Sequence, residues 1–278
     1  DIEEWKYGPT FITSVPTVLG HEVTGEVVEI GDDPSGLSIG DRVVVDNVLT
    51  CGTCYWCQSG SQATCPNMEV AGLGRDGGLQ EFMVWPADHL IKLPDTVKDD
   101  EAPLLEPAPV ALHAVRRSGV RPGDSVAVIG IGTVGALTLQ AFKAAGANVY
   151  AVDVRPSSLQ MATRLGADEV VDAGQGDVGE KLAELTDGIG PDIVVETSGA
   201  TSTPVNAFDW VRRAGTVVLV GIYSARPEVD FNAVVFKELN VIGSIAAGTG
   251  DMRAVVKLVA DGKIRLGDLV SDRISLDR

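Results

Sequence analysis

The chain is poor in basic residues and in histidine, and it contains no long hydrophobic run. Its 278 residues include 22 lysines and arginines against 39 aspartates and glutamates, a net charge of −17, and only three histidines. Nucleic-acid-binding proteins need a basic face, so this charge balance opposes that class. No run approaches the roughly 18 apolar residues of a membrane span. We therefore expect neither a nucleic-acid nor a membrane partner.

Cysteine is also scarce, and its four copies are confined to one segment, at Cys51, Cys54, Cys57 and Cys65. This clustering indicates a metal site rather than a disulfide framework, and it favours a reducing, cytoplasmic setting. Four thiolates with no open position form the cage that Zn²⁺ takes in structural sites. An iron–sulfur cluster is the competing interpretation, although the last gap is seven residues rather than the three of a ferredoxin run.

Glycine, in contrast, is abundant, and it forms the strongest motif of the sequence. An apolar run from Ser125 to Ile129 predicts a buried strand, and residues 134–145 have helix-forming composition. Between them lies a complete G-x-G-x-x-G, made of Gly130, Ile131, Gly132, Thr133, Val134 and Gly135. A second apolar run, 149–152, ends in the acid Asp153. Strand, glycines, helix, strand and acid in this order predict a dinucleotide-binding unit.

Each part of this motif has a function in that unit. Gly130 allows a tight turn, Gly132 lets backbone N–H groups approach a pyrophosphate, and Gly135 lets the helix pack on the strand. The helix N-terminus attracts phosphate through its free N–H groups and its dipole. Asp153 lies near the spacing of an acid that binds the adenosine ribose, which favours NAD over NADP, although Arg155 leaves NADP open.

The rest of the chain divides into two regions with different patterns of secondary structure. Residues 1–95 read as short strands and turns, including 37–46, 82–85 and 89–93, and predict an all-β barrel or sandwich. Helical candidates follow at 110–118, 157–165, 179–186, 204–213 and 252–260. They alternate with strands at 169–172, 192–197, 216–222 and 240–245. With the two strands of the glycine motif, this predicts a doubly wound parallel sheet.

Three further residues are candidates for chemistry. His21 is one of the few histidines and stands beside Glu22 between glycines, and Glu106 is an acid in the apolar segment Leu104-Leu-Glu-Pro107. Buried carboxylates are costly unless they are paired or bind a metal. Each residue taken alone is as well explained by an ordinary polar role as by a function.

Taken together, these motifs resemble the zinc-containing medium-chain alcohol/polyol dehydrogenases, in particular the sorbitol, threonine and 2,3-butanediol dehydrogenase branch. The resemblance covers nearly the whole chain in the family order: Gly20-His-Glu22-x-x-Gly25, Gly40-Asp-Arg-Val43, the cysteine segment 51–65, Leu105-Glu-Pro107, the glycine motif and Asp153. It implies an α/β plus β fold. A GroES-like β-barrel catalytic domain would occupy 1–110, a Rossmann domain 111–250 and a return segment 251–278, with the active site between the domains.

The resemblance also implies residue roles. His21 would be a ligand of a catalytic zinc, and Glu22 a ligand or near-ligand. Glu106 would be a ligand or exchange with water at the open coordination position, and the cysteines would hold a structural zinc. The glycine motif and Asp153 would bind NAD, and Val220, Gly221, Ile222 and Ser244 would contact its nicotinamide half. The partner is then a small alcohol or polyol, and a homodimer or homotetramer is expected, paired through the sheet edge near 216–243.

Two departures from the family pattern concern the ends of the chain. The family's first catalytic zinc ligand is the cysteine of a Cys-Gly-Ser/Thr-Asp motif whose Asp resembles Asp1, and Glu3 stands where many relatives carry a relay histidine. The chain is therefore expected to be truncated at both ends. The alternative to a zinc-dependent oxidoreductase acting on secondary alcohols, diols or polyols is an NAD-binding remnant without the catalytic zinc. A zinc-free quinone reductase is disfavoured by the cysteines and by His21 and Glu22.

Overall fold

A computed structural model describes residues 15–32, 35–248 and 250–276 of the chain. Their contacts form two compact units, the first within 1–109, 247–261 and 270–278 and the second within 110–246 and 262–269. The domain boundaries expected from the sequence stay a prediction, and the contacts assign 262–269, part of the expected return segment, to the second unit. Asp1 and Glu3 lie outside the described residues.

The described part of the chain contains short strands and helices throughout. The strands are β1 (Thr24–Glu26), β2 (Arg42–Val45), β3 (Val48–Leu49), β4 (Glu69–Val70), β5 (Leu90–Lys92), β6 (Ser125–Ile129), β7 (Asn148–Asp153), β8 (Glu169–Asp172), β9 (Ile193–Glu196), β10 (Thr216–Leu219) and β11 (Asn240–Gly243). The α-helices are α1 (Tyr55–Gln58), α2 (Pro107–Ser118), α3 (Thr133–Ala144), α4 (Pro156–Leu165), α5 (Val178–Glu184), α6 (Thr203–Trp210), α7 (Phe231–Phe236) and α8 (Asp251–Ala260). Short 3₁₀ turns include Ala102–Leu105. Among these residues, no helix is long and apolar enough to cross a bilayer.

The first unit is built on small antiparallel sheets. β2 lies between β1 and β5, and Val44 at its centre, opposite Thr24 and Ile91, is completely buried. β3 and β4 form a second, two-stranded sheet. The strand expected at 82–85 is wrong, because these residues have no regular secondary structure and Val84 is 98% exposed. Residues 82–85 form an apolar run as a buried strand would, but they pair with no strand in the described part of the chain.

The second unit is a six-stranded sheet in the order β11-β10-β9-β6-β7-β8, with every pair parallel. Its central residues are apolar and β-branched because helices cover both faces. One core cluster includes Val126 and Phe142, and another includes Val194 and Phe208. The chain builds β6, β7 and β8 outward and then crosses to β9 on the other side of β6. The doubly wound parallel sheet predicted from the alternation is confirmed.

Helix ends depart from the sequence prediction where capping decides them. α2 begins at Pro107 rather than at 110, because proline is tolerated in a first helical turn whose N–H groups lack partners. α6 ends at Trp210 rather than at 213, and Lys237 Nζ donates to the carbonyls of Phe208, Asp209 and Val211 at its end. The short helix α7 was missed, although the Asp230 carboxylate caps its first turn.

The contact between β6 and α3 requires a glycine. A Cβ on Gly135 would lie 1.8 Å from the carbonyl oxygen of Gly130 and 2.7 Å from Thr197 Oγ1, well inside van der Waals distance. Gly130 itself has φ +88°, a backbone conformation that residues other than glycine rarely adopt. Gly132 is different, because a Cβ there meets no atom within 4 Å.

Gly135→Ala is therefore expected to destabilise the protein by about 3 kcal/mol, because the helix must move away from the strand. Gly132→Ala is the matched control, with an expected cost of about 1 kcal/mol or less at its N-cap position. Urea unfolding followed by circular dichroism measures both. Equal losses for the two variants would contradict the close approach seen between Gly135 and Gly130.

Candidate functional site

The four cysteines converge in the first unit as free thiols. The Sγ atoms lie 3.4 Å apart for Cys54 and Cys57, 3.6 Å for Cys51 and Cys65, 3.8 Å for Cys54 and Cys65, and 4.0 Å for Cys51 and Cys57. These separations exclude disulfide bonds, whose sulfurs are about 2.0 Å apart. Sulfurs at about 2.3 Å from a tetrahedral zinc ion are roughly 3.8 Å apart, so the group has the size of a zinc cage.

Local backbone geometry prepares this group for a cation. α1 carries Cys57 and begins just after Cys54, while the backbone N–H groups of Thr53 and Cys54 lower the pKa of the Cys51 thiol to about 5. Burial raises the pKa of Cys57 to about 11. One thiolate thus forms readily while another needs a positive charge to form, which is what a metal ion supplies.

His21 and Glu22 are positioned by a close backbone contact in the same unit. The residues before them, 18–20, run against a glycine-containing loop: the N–H of Gly78 donates to the carbonyl of Gly20 at 2.9 Å, and the N–H of Gly77 to that of Val18 at 2.7 Å. A Cβ on Gly77 would lie 2.0 Å from the Gly20 oxygen. This contact holds the chain just before His21, and β1 begins at Thr24 just after it.

Glu106 is brought to the same place by a turn and a buried amide. It ends the 3₁₀ turn Ala102–Leu105 and immediately precedes α2. Asn47 Nδ2 donates to Glu106 Oε1 at 2.7 Å, and Asn47 is only 5% exposed in the link between β2 and β3. The hydrogen bond fixes the position of one carboxylate oxygen.

Three ligand atoms meet as a result, one each from His21, Glu22 and Glu106, all within 4.8 Å of one another. Imidazole and carboxylate donors suit Zn²⁺, and three protein ligands with a fourth position open are typical of catalytic zinc sites. Burial, and to a lesser degree the charge of Glu22, raises the pKa of Glu106 to about 7 against the effect of His21. A half-buried carboxyl group with so little compensation fits a site that takes a cation.

The glycine motif forms its turn in the second unit, at the carboxyl end of β6. Thr197, which follows β9, donates through Oγ1 to the carbonyls of Gly130 at 2.6 Å and Ile129 at 2.9 Å. Gly132 is exposed and caps α3, and Thr133 beside it is also exposed. Ile131 is completely buried, whereas Val134 is partly buried. The N-terminus of α3 is thus open to an anion, as the phosphate-binding hypothesis requires.

Asp153 ends β7 next to this turn and has a role that the sequence did not reveal. Its Oδ2 accepts the N–H of Ile131 at 2.7 Å, and its Oδ1 accepts the N–H of Arg155 at 2.8 Å. Burial alone would raise the pKa of Asp153, but these donors hold it below its ordinary value. The carboxylate therefore stabilises the glycine turn in addition to any ribose it binds. Arg155 lies beside it with an exposed side chain, its Nε 3.4 Å from Oδ1.

The remaining dinucleotide candidates also follow parallel strands. Val220, Gly221 and Ile222 come directly after β10, and Ser244 directly after β11. Ser244 Oγ is buried without a hydrogen-bond partner among the described residues. Carboxyl ends of parallel strands are where open α/β sheets bind ligands. Whether these residues and the metal groups bind as expected stays a prediction.

Sequence reasoning missed three side chains that organise these groups, namely Asn47, Thr197 and Glu196. Asn47 and Thr197 carried no local signal, since ordinary polar residues in loops are common. Glu196 had one, because it is an acid that ends an apolar strand next to the glycine turn.

Comparison with known proteins matches two parts of the chain to described protein families. The description "alcohol dehydrogenase GroES-like domain" matches residues 1–95, and "zinc-binding dehydrogenase" matches residues 133–261. The sorbitol dehydrogenase of Halalkalibacterium halodurans is 31% identical over 275 residues, covering 97% of this chain and 80% of that protein.

Solved structures agree with these matches. The 2R,3R-butanediol dehydrogenase of Bacillus subtilis has a TM-score of 0.91 and 36% identity, covering 100% of this chain and 82% of its own. A zinc-binding dehydrogenase from Sinorhizobium meliloti, bound to NADP, has a TM-score of 0.90 and 33% identity, covering 96% of this chain and 79% of its own. The fold expected from the resemblance, a GroES-like domain with a Rossmann domain, is confirmed. The chain belongs to the zinc-containing medium-chain alcohol/polyol dehydrogenase family.

Proposed function

We propose that the protein is a zinc-dependent oxidoreductase that transfers a hydride between NAD and a secondary alcohol, diol or polyol and the corresponding ketone. The observation that carries this proposal is the convergence of His21, Glu22 and Glu106 on one point in a chain that also forms the glycine turn. Similarity to a sorbitol dehydrogenase and a butanediol dehydrogenase supports the substrate class. Both are named for substrates with more than one hydroxyl group.

His21, Glu22 and Glu106 would hold the catalytic zinc. Bound there, the ion supplies Lewis acidity, which lowers the pKa of a substrate hydroxyl toward neutrality. Glu106 would act as a ligand or as a carboxylate that alternates with water, and the Asn47 amide would keep its Oε1 oriented in either role. Orientation of this kind by an outer hydrogen bond is typical of metal sites.

The glycine turn and Asp153 would hold the dinucleotide. The open N-terminus of α3 would accept the pyrophosphate, and Asp153 would accept a ribose hydroxyl through the capacity that Ile131 and Arg155 leave on its oxygens. A carboxylate at this position disfavours the 2′-phosphate of NADP, whereas Arg155 favours it. We propose NAD as the preferred cofactor, with weaker use of NADP.

The four cysteines would hold a structural zinc ion that is separate from the chemistry. Their number leaves no open coordination position, and their Sγ separations suit a tetrahedron. Thiolates keep zinc only where they stay reduced, so the proposal includes a cytoplasmic location. Recovery of the native protein in a membrane or secreted fraction would contradict that location.

The activity is tested with a panel of secondary alcohols, diols and polyols. Formation of NADH, followed by absorbance, is expected with NAD, and kcat/KM is expected to be lower with NADP. His21→Ala should lower kcat/KM by roughly 1000-fold, because the Lewis acid is lost. His113→Asn, outside both metal groups, is the control and should keep most of the activity. No turnover of any substrate by zinc-supplemented protein would contradict the proposal.

Metal content separates the enzyme from the alternative, an NAD-binding remnant without the catalytic zinc. The two groups predict two zinc ions per chain in the enzyme and only the thiolate-bound ion in the remnant. His21→Ala should lose one ion and keep the fold, whereas Cys65→Ser should lose the other and unfold at lower temperature. Elemental analysis of dialysed protein measures the count, and iron in place of zinc would overturn the cysteine assignment.

We further propose that copies of the chain pair through β11, as a dimer or as a pair of dimers. β11 ends the described sheet, and Val241 on it is 39% exposed, while Phe231, Val235 and Phe236 of α7 are all more than 60% exposed. An apolar edge strand left open invites pairing with another chain. Val241→Lys should shift the mass measured by light scattering toward the monomer, and Ile189→Lys, at an exposed apolar position away from β11, should not. A monomeric wild-type protein would rule the pairing out.

A further inference from the structure

Glu196 is a completely buried carboxylate in the middle of the sheet's carboxyl edge. It is the last residue of β9, with Ile129 of β6 opposite on one side and Leu219 of β10 opposite on the other. A carboxylate without solvent is costly unless donors surround it. The residues that supply those donors show what Glu196 organises.

Five donors reach this carboxylate. Oε1 accepts the N–H of Ser198 at 2.7 Å, the hydroxyl of Ser198 at 2.6 Å, the hydroxyl of Thr203 at 2.9 Å and the N–H of Gly199 at 3.1 Å. Oε2 accepts the phenol O–H of Tyr223 at 2.6 Å. One oxygen therefore binds the loop that follows β9 together with the first residue of α6, Thr203, and the other binds the loop that follows β10.

The second loop is fitted closely around the carboxylate. The N–H groups of Val220 and Gly221 donate to the main-chain carbonyl of Glu196 at 2.9 and 3.1 Å. A Cβ on Gly221 would lie 2.4 Å from Glu196 Oε2, so the carboxylate occupies the space of any side chain there. Glu196 therefore fixes both ends of the segment 220–223. Its main-chain carbonyl binds Val220 and Gly221, and its carboxylate binds Tyr223.

Tyr223 is suited to be a permanent donor. Burial and the hydrogen bond to the Glu196 carboxylate both raise the pKa of the Tyr223 phenol far above its ordinary value. The phenol therefore keeps its proton near neutral pH and acts there as a donor. Its role is to hold position, since it does not exchange a proton near neutrality.

The two loops lie on one side of the glycine turn and Asp153 lies on the other. β10 and β9 precede β6 in the sheet order, and β7, which ends at Asp153, follows it. Thr197 of the first loop bonds directly to the carbonyl of Gly130 in the turn. If the turn holds the pyrophosphate and Asp153 the adenosine ribose, the side of the turn with Glu196 and Tyr223 is left for the nicotinamide half.

We propose that the Glu196–Tyr223 hydrogen bond holds residues 220–223 in the conformation that receives the nicotinamide half of the dinucleotide, so that both are positioning residues for that half alone. This inference rests on the proposed function. It distinguishes Glu196 and Tyr223 from Asp153, which would serve the adenosine half.

Calorimetric titration of Tyr223→Phe with NADH and with ADP-ribose tests the inference, because ADP-ribose lacks the nicotinamide. We expect the Kd for NADH to rise about tenfold and the Kd for ADP-ribose to stay within about twofold, since one hydrogen bond to a buried carboxylate is lost. Tyr150→Phe is the matched control. It removes a phenol hydrogen bond to the carbonyl of Leu185 in the same unit and should change neither Kd.

Glu196→Gln extends the test, because its amide keeps the shape of the side chain but cannot accept all five hydrogen bonds. It should weaken NADH binding more than Tyr223→Phe does, and its melting temperature shows whether the fold survives. If it does not fold, Tyr223→Phe alone decides. An unchanged Kd for NADH in Tyr223→Phe, or an equal loss for NADH and ADP-ribose, would overturn the inference. A wild-type protein that binds neither NADH nor NADPH would instead remove the proposed function, and this inference with it.

Discussion

Both candidate sites depend on main chain approaching main chain more closely than any side chain allows. In the second unit, a Cβ on Gly135 would lie 1.8 Å from the Gly130 oxygen, and in the first a Cβ on Gly77 would lie 2.0 Å from the Gly20 oxygen. The first contact seats the helix N-terminus on the glycine turn. The second fixes the chain immediately before His21. Close backbone packing of this kind positions functional groups without long side chains that would cost conformational entropy.

Three buried or half-buried carboxylates then define what each region can do. Asp153 and Glu196 are compensated by hydrogen-bond donors from their own unit, and each holds a neighbouring loop in place through those bonds. Glu106 has only the Asn47 amide as a hydrogen-bond donor among the described contacts, and burial raises its pKa to about 7. The difference in compensation separates the two organising carboxylates from the one that suits a cation.

Secondary structure was predictable where one local rule decided it. The parallel strands were found because each is buried on both faces and is therefore a continuous apolar run. The strand expected at 82–85 failed, because an apolar run predicts a strand only if a partner is present, and Val84 is almost fully exposed. The observed start of α2 at Pro107 and the observed end of α6 at Trp210 differ from the predicted positions. Capping and the tolerance of proline depend on a few backbone groups that composition does not reveal.

The sequence by itself determined the chemistry that the chain can offer: four thiolates at metal-ligand spacing, a glycine motif between strand and helix, and an acid at the end of the next strand. These signals are local, because each is recognised from the spacing of a few residues close together in the sequence. The resemblance implied that Glu106 joins His21 and Glu22, residues more than 80 positions earlier. Only the tertiary structure brought their ligand atoms within 4.8 Å and showed that Asn47 orients Glu106. It alone showed that Glu196 joins two loops through Tyr223. Such contacts arise where separate strands end side by side, and no pattern within a short window of sequence records which ends will meet.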